Sequence, residues 1–305
     1  MDKIIKIGTR ESQLAVWQAA TVKDLLQKNG YRSELIYIKS EGDTDLKTPL
    51  YEIGVQGIFT RALDIALLNG DIDIAVHSMK DVPTMMAKGI VQAAVLPRAS
   101  YKDLLVPKPG QKFSEQTEPL VIATSSIRRK AQWLNRYPND KIENLRGNVN
   151  TRLRKVEEND WNGAIFAAAG LERIGLRPKN ALELDWMLPA PAQGAIIVVS
   201  TDKNTYCLEA CAHFHDADTA VCTAIERDFL RALLGGCSTP ISALAKVNNG
   251  YVEFTGNILS KDGKQKKEIT KRAGINESAN MGTEAAAELL ANGGQEILNG
   301  IRNEN

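Results

Sequence analysis

The sequence has no long hydrophobic run. A helix that crosses a bilayer needs about 20 consecutive apolar residues, and no stretch of this 305-residue chain approaches that length. The first eight residues lack the apolar segment and the small-residue cleavage site of a secretory signal. We therefore expect a cytoplasmic protein with no membrane partner.

An excess of charge of one sign is also missing. The 38 Lys and Arg residues nearly balance the 37 Asp and Glu residues, which leaves a formal net charge of +1. Nucleic-acid binding depends on many cations that face phosphates, so this balance argues against a nucleic-acid partner. Any anion site must therefore be local. The proportions of hydrophobic (43%) and charged (25%) residues are those of a packed globular protein.

Cysteine is scarce. Four cysteines, at positions 207, 211, 222 and 237, are too few and too clustered to form a disulfide framework in a chain of this size. Cys207, Cys211, His213, His215 and Cys222 lack the paired short spacings of structural zinc sites. We expect free thiols and no metal site, with Cys222 on the core face of a helix.

Strand-like and helix-like segments alternate in the first half of the chain. An apolar strand at 4–7 precedes a helix with Leu14, Trp17, Thr21 and Leu25 on one face, and a strand at 34–38, a helix at 58–68 and a strand at 72–76 follow. This alternation predicts an α/β fold with a parallel sheet. The same strand, threonine turn and helix recur at 121–129. Two such domains that flank a cleft would resemble type II periplasmic binding proteins, with ligands at the carboxyl ends of the strands.

The pattern changes near residue 214 and predicts a separate α+β domain with a small antiparallel sheet. A helix with Ile225, Phe229 and Leu233 on one face is followed by strands at 242–247, 251–259 and 267–272. Asn249-Gly250 and Asp262-Gly263 are hairpin signals. A closing helix at about 283–301 contains a Gly293-Gly294 pair, which favours a kink.

Polar side chains follow the apolar strand at 72–76 directly. They are His77, Ser78, Lys80 and Asp81. Asp81 is suited to stabilising a cationic intermediate or passing a proton, and Lys80 or Ser78 to holding an acidic substrate. The alternative is an ordinary turn whose aspartate binds nearby backbone amides before Pro83.

Residues 121–180 contain twelve Lys or Arg and six Asp or Glu, a local basic excess in a nearly neutral chain. Helix starts favour anions, and the arginine fork suits carboxylates. The residues that lie near predicted strand ends or helix starts are Thr124, Ser126, Arg128, Arg129, Arg146, Gly147, Arg152 and Arg173. The set favours a ligand with many carboxylates, although any single arginine is equally explained by a solvated helix face.

Cys237 follows two glycines at the end of a predicted helix, which leaves its thiol uncrowded. An accessible thiol is a nucleophile or an attachment point, whereas free cysteines are more often small buried hydrophobes. Taken alone, Cys237 favours the second interpretation.

Seven motifs occur in one order along nearly the whole chain, and together they resemble the hydroxymethylbilane synthase (porphobilinogen deaminase) family. They are IGTRES (7–12), HSMKDVP (77–83), TSSIRR (124–129), LRGNV (145–149), AGLER (169–173), PAPAQGA (189–195) and GGC (235–237). Each is weak alone, but their order is highly specific.

The resemblance implies a dipyrromethane cofactor attached through a thioether to Cys237. On this primer four porphobilinogen molecules join head to tail, each with loss of ammonia, before hydrolysis frees hydroxymethylbilane. The resemblance makes Asp81 the catalytic residue. The cofactor-binding positions it implies are Cys237, Asp81, Lys80, Ser78, Thr124, Ser126, Arg128, Arg129, Arg146 and Gly147. The substrate-binding positions are Arg10, Ser12, Arg146, Arg152, Arg173, Gln193 and Phe59.

The family has three domains, and the chain returns to the first one late. The implied domains are 1–96 with 194–213, then 97–193, then 214–305, in a monomer. The chain departs from the family pattern at Glu52, Gln56, Ala62, Asp64 and Ala192. The rival hypothesis is a periplasmic-binding-like sensor of an anionic ligand that has no chemistry.

Overall fold

The computed structural model describes residues 3–39, 60–111, 113, 118–233 and 239–303. Phe59 and Cys237 lie outside these residues, as do Glu52 and Gln56. In the described part of the chain, no helix is both long and apolar enough to cross a membrane.

The described strands and helices are numbered in chain order. The strands are β1 (Ile5–Thr9), β2 (Ser33–Tyr37), β3 (Ile74–Ser78), β4 (Ile90–Val95), β5 (Asp103–Pro107), β6 (Val121–Ala123), β7 (Lys141–Glu143), β8 (Gly163–Ala167), β9 (Leu182–Glu183), β10 (Ile196–Thr201), β11 (Ile241–Asn248), β12 (Tyr251–Leu259) and β13 (Lys266–Gly274). The helices are α1 (Gln13–Lys28), α2 (Arg61–Asn69), α3 (Ile127–Arg136), α4 (Val149–Glu158), α5 (Ala168–Arg173), α6 (Thr205–Ala212), α7 (Ala217–Ala232), α8 (Met281–Leu289) and α9 (Gln295–Asn303).

The first sheet has the strand order β2-β1-β3-β10-β4. Strand β1 is parallel to β2 and β3, whereas β10 is antiparallel to both β3 and β4. Helices cover both faces. Ile5, Ile7 and Val76 pack against α1 and α6 on one face, and Ala75 and Ile197 pack against α2 on the other. Because both faces are covered, β3 and β10 at the middle of the sheet are buried along almost their whole length.

The second sheet repeats this arrangement in the order β7-β6-β8-β5-β9. Strand β6 is parallel to β7 and β8, and β5 is antiparallel to β8 and β9. The α/β fold class is confirmed, and the three strands from which a parallel sheet was predicted, β1, β2 and β3, are parallel. The antiparallel strands β10 and β5 were not predicted. Strands β10 and β5 follow passages of the chain from one sheet to the other. Successive strands of one sheet become parallel when a crossover helix joins them, and none of the described helices joins β10 or β5 to a preceding strand of its own sheet.

The C-terminal unit is the predicted three-stranded antiparallel sheet, in the order β11-β12-β13. Asn249 and Gly250 have φ values of +50° and +79°, as a two-residue hairpin turn requires. Phe229 of α7 and Phe254 of β12 meet in the core with ring centroids 5.1 Å apart. The closing helix is interrupted between α8 and α9, where Gly293 has a φ of +96°, so the predicted kink is confirmed.

The buried face of α1 differs from the predicted one. The helix buries Ala15, Ala19, Val22 and Leu26, while Trp17 is 38% exposed. Small alanine side chains let the helix lie close to the sheet, so the bulkiest apolar residues do not mark its inner face. Helix α2 begins at Arg61 rather than near residue 58, which is itself outside the described residues.

The buried carboxylate of Glu226 on α7 joins three parts of the chain. Its oxygens accept hydrogen bonds from Arg98, which follows β4, from the backbone N–H of Ala192, and from the backbone N–H of Ala245 in β11.

Ala192 lies in the left-handed region with a φ of +62°, a conformation that costs a non-glycine residue about 1–2 kcal/mol. Strand β10 places residues 196–201 in the first sheet. The exact domain boundaries stay a prediction.

Candidate functional site

Two helix N-termini carry the same serine cap. The hydroxyl oxygen of Ser12 accepts from the N–H of Ala15 at the start of α1, and that of Ser126 accepts from the N–H of Arg129 at the start of α3. The hydroxyl of Thr124 accepts from the N–H of Ser126 at 3.2 Å. The predicted recurrence of strand, threonine turn and helix is therefore confirmed. Because a hydroxyl also has one O–H, each cap retains a donor for an anion.

The end of β3 presents the predicted polar cluster. Ser78 accepts a 2.8 Å hydrogen bond from the amide of buried Gln18 on α1, and the chain then forms a 3-10 turn over Met79–Asp81. His77 is buried, and burial together with the charge of Arg10 lowers its pKa to about 3. It is therefore neutral at physiological pH and cannot act as a cationic acid there.

Lys80 belongs to the same electrostatic cluster as residues of the second sheet. Burial lowers the pKa of Lys80 to about 8; Asp81 and Asp103 act to raise it, and Arg129 and Arg128 act to lower it. Lys80 and Asp81 come from the end of β3, whereas Asp103 starts β5 and the two arginines start α3. The structure thus brings side chains of both sheets to one site.

Asp103, which is fully buried, forms salt bridges with the two arginines at the start of α3. Asp103 lies 2.7 Å from Nη2 of Arg128 and 2.8 Å from Nη2 of Arg129. Burial acts to raise the pKa of Asp103, but Arg128 and Arg129 more than offset it, so the pKa falls to about 2. The sequence analysis missed Asp103. Its only local signal is a carboxylate at the first position of an otherwise apolar strand.

Gln193 belongs to this buried network. Its amide nitrogen donates to Oδ1 of Asp103 at 2.9 Å and to the carbonyl of Tyr101 at 2.8 Å. Among the described residues, Nε of Arg128 and the amide oxygen of Gln193 are buried polar atoms without a hydrogen-bond partner. An unpaired buried donor is costly, which makes the Arg128 Nε–H a candidate contact for a bound anion.

The Arg146-Gly147-Asn148 motif forms the turn into α4. Gly147 has a φ of +113°, and a Cβ there would lie 2.7 Å from Thr151, so this position requires glycine. The carbonyl of Gly147 accepts a 2.7 Å hydrogen bond from Nε of Arg152. Burial lowers the pKa of Arg152 to about 10; Arg129 and Arg146 lower it further, whereas Asp81 opposes the change. Arg152 and Arg146 therefore share the site of Asp81 and Lys80.

Arg173 is placed differently from the other arginines. Its Nη2 donates to the carbonyl of Gly194 at 2.7 Å, and its guanidinium lies 5.7 Å from the centre of the Trp17 ring. Burial lowers its pKa to about 10, an effect that Glu172 opposes. Arg173 thus links α5 to α1 and to the segment that enters β10.

The three described cysteines are not suited to nucleophilic chemistry. Burial raises the pKa of Cys207 to about 11, of Cys211 to about 12 and of Cys222 to about 11, so all three stay thiols at neutral pH. Cys207 and Cys211 lie in the core of the first sheet, whereas Cys222 lies on the core face of α7 in the C-terminal unit. The position predicted for Cys222 is confirmed.

The combined donor set is strongly basic. Among the described residues, Lys80, Arg128, Arg129 and Arg152 interact electrostatically with the carboxylate of Asp81 or of Asp103, and Arg146 interacts with Arg152. Such a site can bind a polycarboxylate and can place a carboxylate, that of Asp81, beside a positive charge that develops on the ligand.

Asp103→Asn is expected to destabilise the protein by about 3–5 kcal/mol, because it leaves two buried arginines without their counter-charge. Urea unfolding at pH 7 measures this loss. The pKa of Asp103 is lower in the folded than in the unfolded protein, so its contribution is present above about pH 4 and is lost as the pH falls towards 2. The difference between the variant and the wild type should therefore narrow below about pH 4.

Asp185→Asn is the matched control. Asp185 pairs with Lys102 but its side chain is 75% exposed, so its loss should cost less than about 1 kcal/mol. Equal stability of the two variants would contradict the assignment of Asp103.

Solved structures similar to this chain include two binding proteins. A periplasmic substrate-binding protein of an ABC transporter from Coxiella burnetii is 16% identical with a TM-score of 0.44, over 73% of this chain and 97% of that one. A nutrient-binding protein from Burkholderia cenocepacia bound to methionine is 14% identical with a TM-score of 0.43, over 71% and 93%. At these scores the likeness adds nothing to the strand orders described above.

Curated relatives match over nearly the full length. The porphobilinogen deaminase of Syntrophotalea carbinolica is 41% identical over 298 residues, which cover 96% of this chain and 95% of the relative. That of Trichlorobacter lovleyi is 39% identical over 303 residues, with 98% and 97% covered. The family model "Porphobilinogen deaminase, dipyromethane cofactor binding domain" matches residues 5–209, and the model of the C-terminal domain matches residues 220–291. The chain belongs to the porphobilinogen deaminase family.

Proposed function

We propose that the chain catalyses the head-to-tail condensation of four porphobilinogen molecules with loss of ammonia, and then the hydrolytic release of hydroxymethylbilane. One observation supports this most strongly: Asp81 and Lys80 from the first sheet share a site with Arg129, Arg146 and Arg152 from the second. Porphobilinogen carries an acetate and a propionate. A lengthening chain of such rings needs many cations and a carboxylate at the reacting ring.

The residues present fit a dipyrromethane group, which carries the same acetate and propionate side chains. The buried Nε–H of Arg128 lacks a partner among the described residues, and the surrounding donors are cations and helix N-termini. When bound, this group supplies the pyrrole that primes the condensation. We propose that the thiol of Cys237 holds it covalently and that Ser78, Lys80, Asp81, Thr124, Ser126, Arg128, Arg129, Arg146 and Gly147 bind it.

Asp81 is the proposed catalytic residue. Loss of ammonia from porphobilinogen leaves an electron-poor azafulvene, and the ring that forms at the new bond carries a positive charge. A carboxylate near both species lowers their free energy and can accept the proton that the new ring loses.

Binding of incoming substrate is the proposed role of Arg10, Ser12, Arg146, Arg152, Arg173, Gln193 and Phe59. The cap hydroxyl of Ser12 and the basic side chains suit carboxylates. Arg173 would have to exchange its hydrogen bond with the Gly194 carbonyl for one with the substrate. Gln193 would use its amide oxygen, because its nitrogen is occupied by Asp103.

We further propose that the protein is a cytoplasmic monomer that binds neither nucleic acid nor membranes. The formal net charge of +1 supports the absence of a nucleic-acid partner, because the chain as a whole has almost no excess of cations to face phosphates.

The covalent attachment predicts the intact mass of the purified protein. The wild type should carry the added mass of two linked pyrrole units, and Cys237→Ser should lack it. Cys222→Ser is the control, because the buried thiol of Cys222 should leave the added mass unchanged. Unmodified wild-type protein that also fails to take up porphobilinogen would favour the sensor hypothesis instead.

Asp81→Asn should keep the fold and the added mass but lower kcat by about 10²–10⁴-fold, the usual contribution of a general acid or base. Steady-state release of hydroxymethylbilane measures this loss. Asp202→Asn, at an exposed position beyond β10, should keep the wild-type kcat. A kcat of Asp81→Asn within a factor of about two of the wild type would remove Asp81 from the mechanism.

Besides the cofactor role proposed above, the ammonium group of Lys80 also suits the carboxylates of an acidic substrate, and this predicts a pH dependence of substrate binding. Since the pKa of Lys80 is about 8, the ammonium group loses its proton as the pH rises through that value, and its attraction for carboxylates is lost. The KM for porphobilinogen should rise between pH 7 and 9 in the wild type and much less in Lys80→Arg, because arginine stays charged. Titration of the substrate affects both proteins equally. Identical pH profiles would show that Lys80 does not bind the substrate.

A further inference from the structure

Arg227 of α7 binds the backbone of the turn that carries Lys80 and Asp81. Its Nη1 donates to the carbonyl of Val82 at 2.9 Å and to that of Met79 at 3.3 Å, and its Nη2 donates to the carbonyl of Pro83 at 2.6 Å. The two segments are 144 to 148 residues apart in sequence. One guanidinium group therefore spans the turn from its first residue to the proline that ends the motif.

Arg227 uses its charged guanidinium group to donate hydrogen bonds to these carbonyls rather than to form an ion pair. Within the described residues, the hydrogen-bond partners of Arg227 are the three carbonyl oxygens. Burial lowers the pKa of Arg227; the charge of Asp228 opposes this change and that of Arg231 adds to it. Hydrogen bonds to a charged group contribute more to stability than those between neutral groups. The planar fork of arginine can reach several carbonyls at once, whereas the lysine ammonium is a point charge.

The N–H of Met79 donates to the carbonyl of Ala195 at 3.0 Å and the side chains of Met79 and Val82 are buried in the core, but the turn has few hydrogen bonds of its own. It is a single 3-10 turn, closed by a 3.2 Å bond from Val82 N–H to the Met79 carbonyl, and Ser78 provides no side-chain cap. Short 3-10 segments have poor hydrogen-bond geometry and need support from their surroundings. Arg227 supplies that support from another part of the chain.

The position of Arg227 also connects this turn to the predicted attachment point. Helix α7 ends at Ala232, and Cys237 follows five residues later in the sequence. The helix that leads to Cys237 and the turn that carries Asp81 are thus joined by one side chain.

We propose that Arg227 is a positioning residue that holds the Asp81 turn in its reactive geometry. The inference rests on the role proposed above for Asp81, and it assigns Arg227 no contact with substrate or cofactor. A displacement of about 1 Å at a reacting group can lower a rate about 100-fold. Loss of the three hydrogen bonds should therefore lower kcat. The carboxylate-binding arginines lie on other elements, so KM should change by no more than it does when Lys80 loses its charge.

The test compares Arg227→Met and Arg227→Lys with Arg231→Met. Arg231 lies one turn further along α7, where it pairs with Asp228 and is half exposed, so its variant controls for loss of an arginine from this helix. We expect kcat per folded molecule to fall about 100-fold in Arg227→Met, less in Arg227→Lys, and not in Arg231→Met. Hydrogen exchange provides a readout independent of turnover. Exchange at residues 79–84 should be faster in Arg227→Met than in Arg231→Met, with and without the covalent group.

The outcomes separate this inference from the function on which it rests. Full activity of Asp81→Asn would contradict the proposed role of Asp81, on which this inference rests. If Asp81→Asn is inactive but Arg227→Met has the wild-type kcat and wild-type exchange at residues 79–84, the positioning role is wrong. A lowered Tm with unchanged kcat per folded molecule would also overturn it, because it would show a purely structural role. Addition of guanidinium ion to Arg227→Ala should restore part of kcat, whereas the same addition to Asp81→Asn should not.

Discussion

The buried carboxylate of Asp103 is the interaction on which the site depends. Two guanidinium groups could not lie inside the protein without a counter-charge, since each buried ion costs several kcal/mol. Asp103 pairs with both Arg128 and Arg129 and also accepts from Gln193. The pairing leaves a net positive charge at the start of α3, where the helix N-terminus already favours anions. Because Gln193 precedes β10, the same carboxylate also fixes the path by which the chain returns to the first sheet.

Two adjacent residues of α7 attach the C-terminal unit to that arrangement. Glu226 accepts from Arg98 and from backbone N–H groups of Ala192 and Ala245, while Arg227 donates to carbonyls around Asp81. The strained backbone of Ala192 persists because Glu226 binds its N–H and the residue is fully buried. The C-terminal unit thereby contacts both the passage between the sheets and the reactive turn, although its own core is separate.

Features that depend on a few neighbouring residues could be predicted well. The recurrence of strand, threonine turn and helix at the starts of α1 and α3, the Asn249-Gly250 hairpin and the bend at Gly293 were of this kind, since each is decided by local backbone geometry. The inner face of α1 was not predicted correctly, because the close approach of helix and sheet selects Ala15 and Ala19 over bulkier residues. The antiparallel direction of β5 and β10 was also missed, since it depends on where the chain passes between sheets.

The sequence by itself determined the kinds of group available: a basic excess in one segment, a carboxylate after an apolar strand, and a cysteine after two glycines, in an order that resembled one family. Only the tertiary structure decided their partners. Arg128 and Arg129, which we propose to bind the cofactor, also pair with Asp103, about 25 residues earlier in the sequence. Arg227, which no motif singled out, binds the Asp81 turn from 148 residues away. The charge of a side chain is a local property, whereas its counter-charge is set by strand order and by the crossings between sheets.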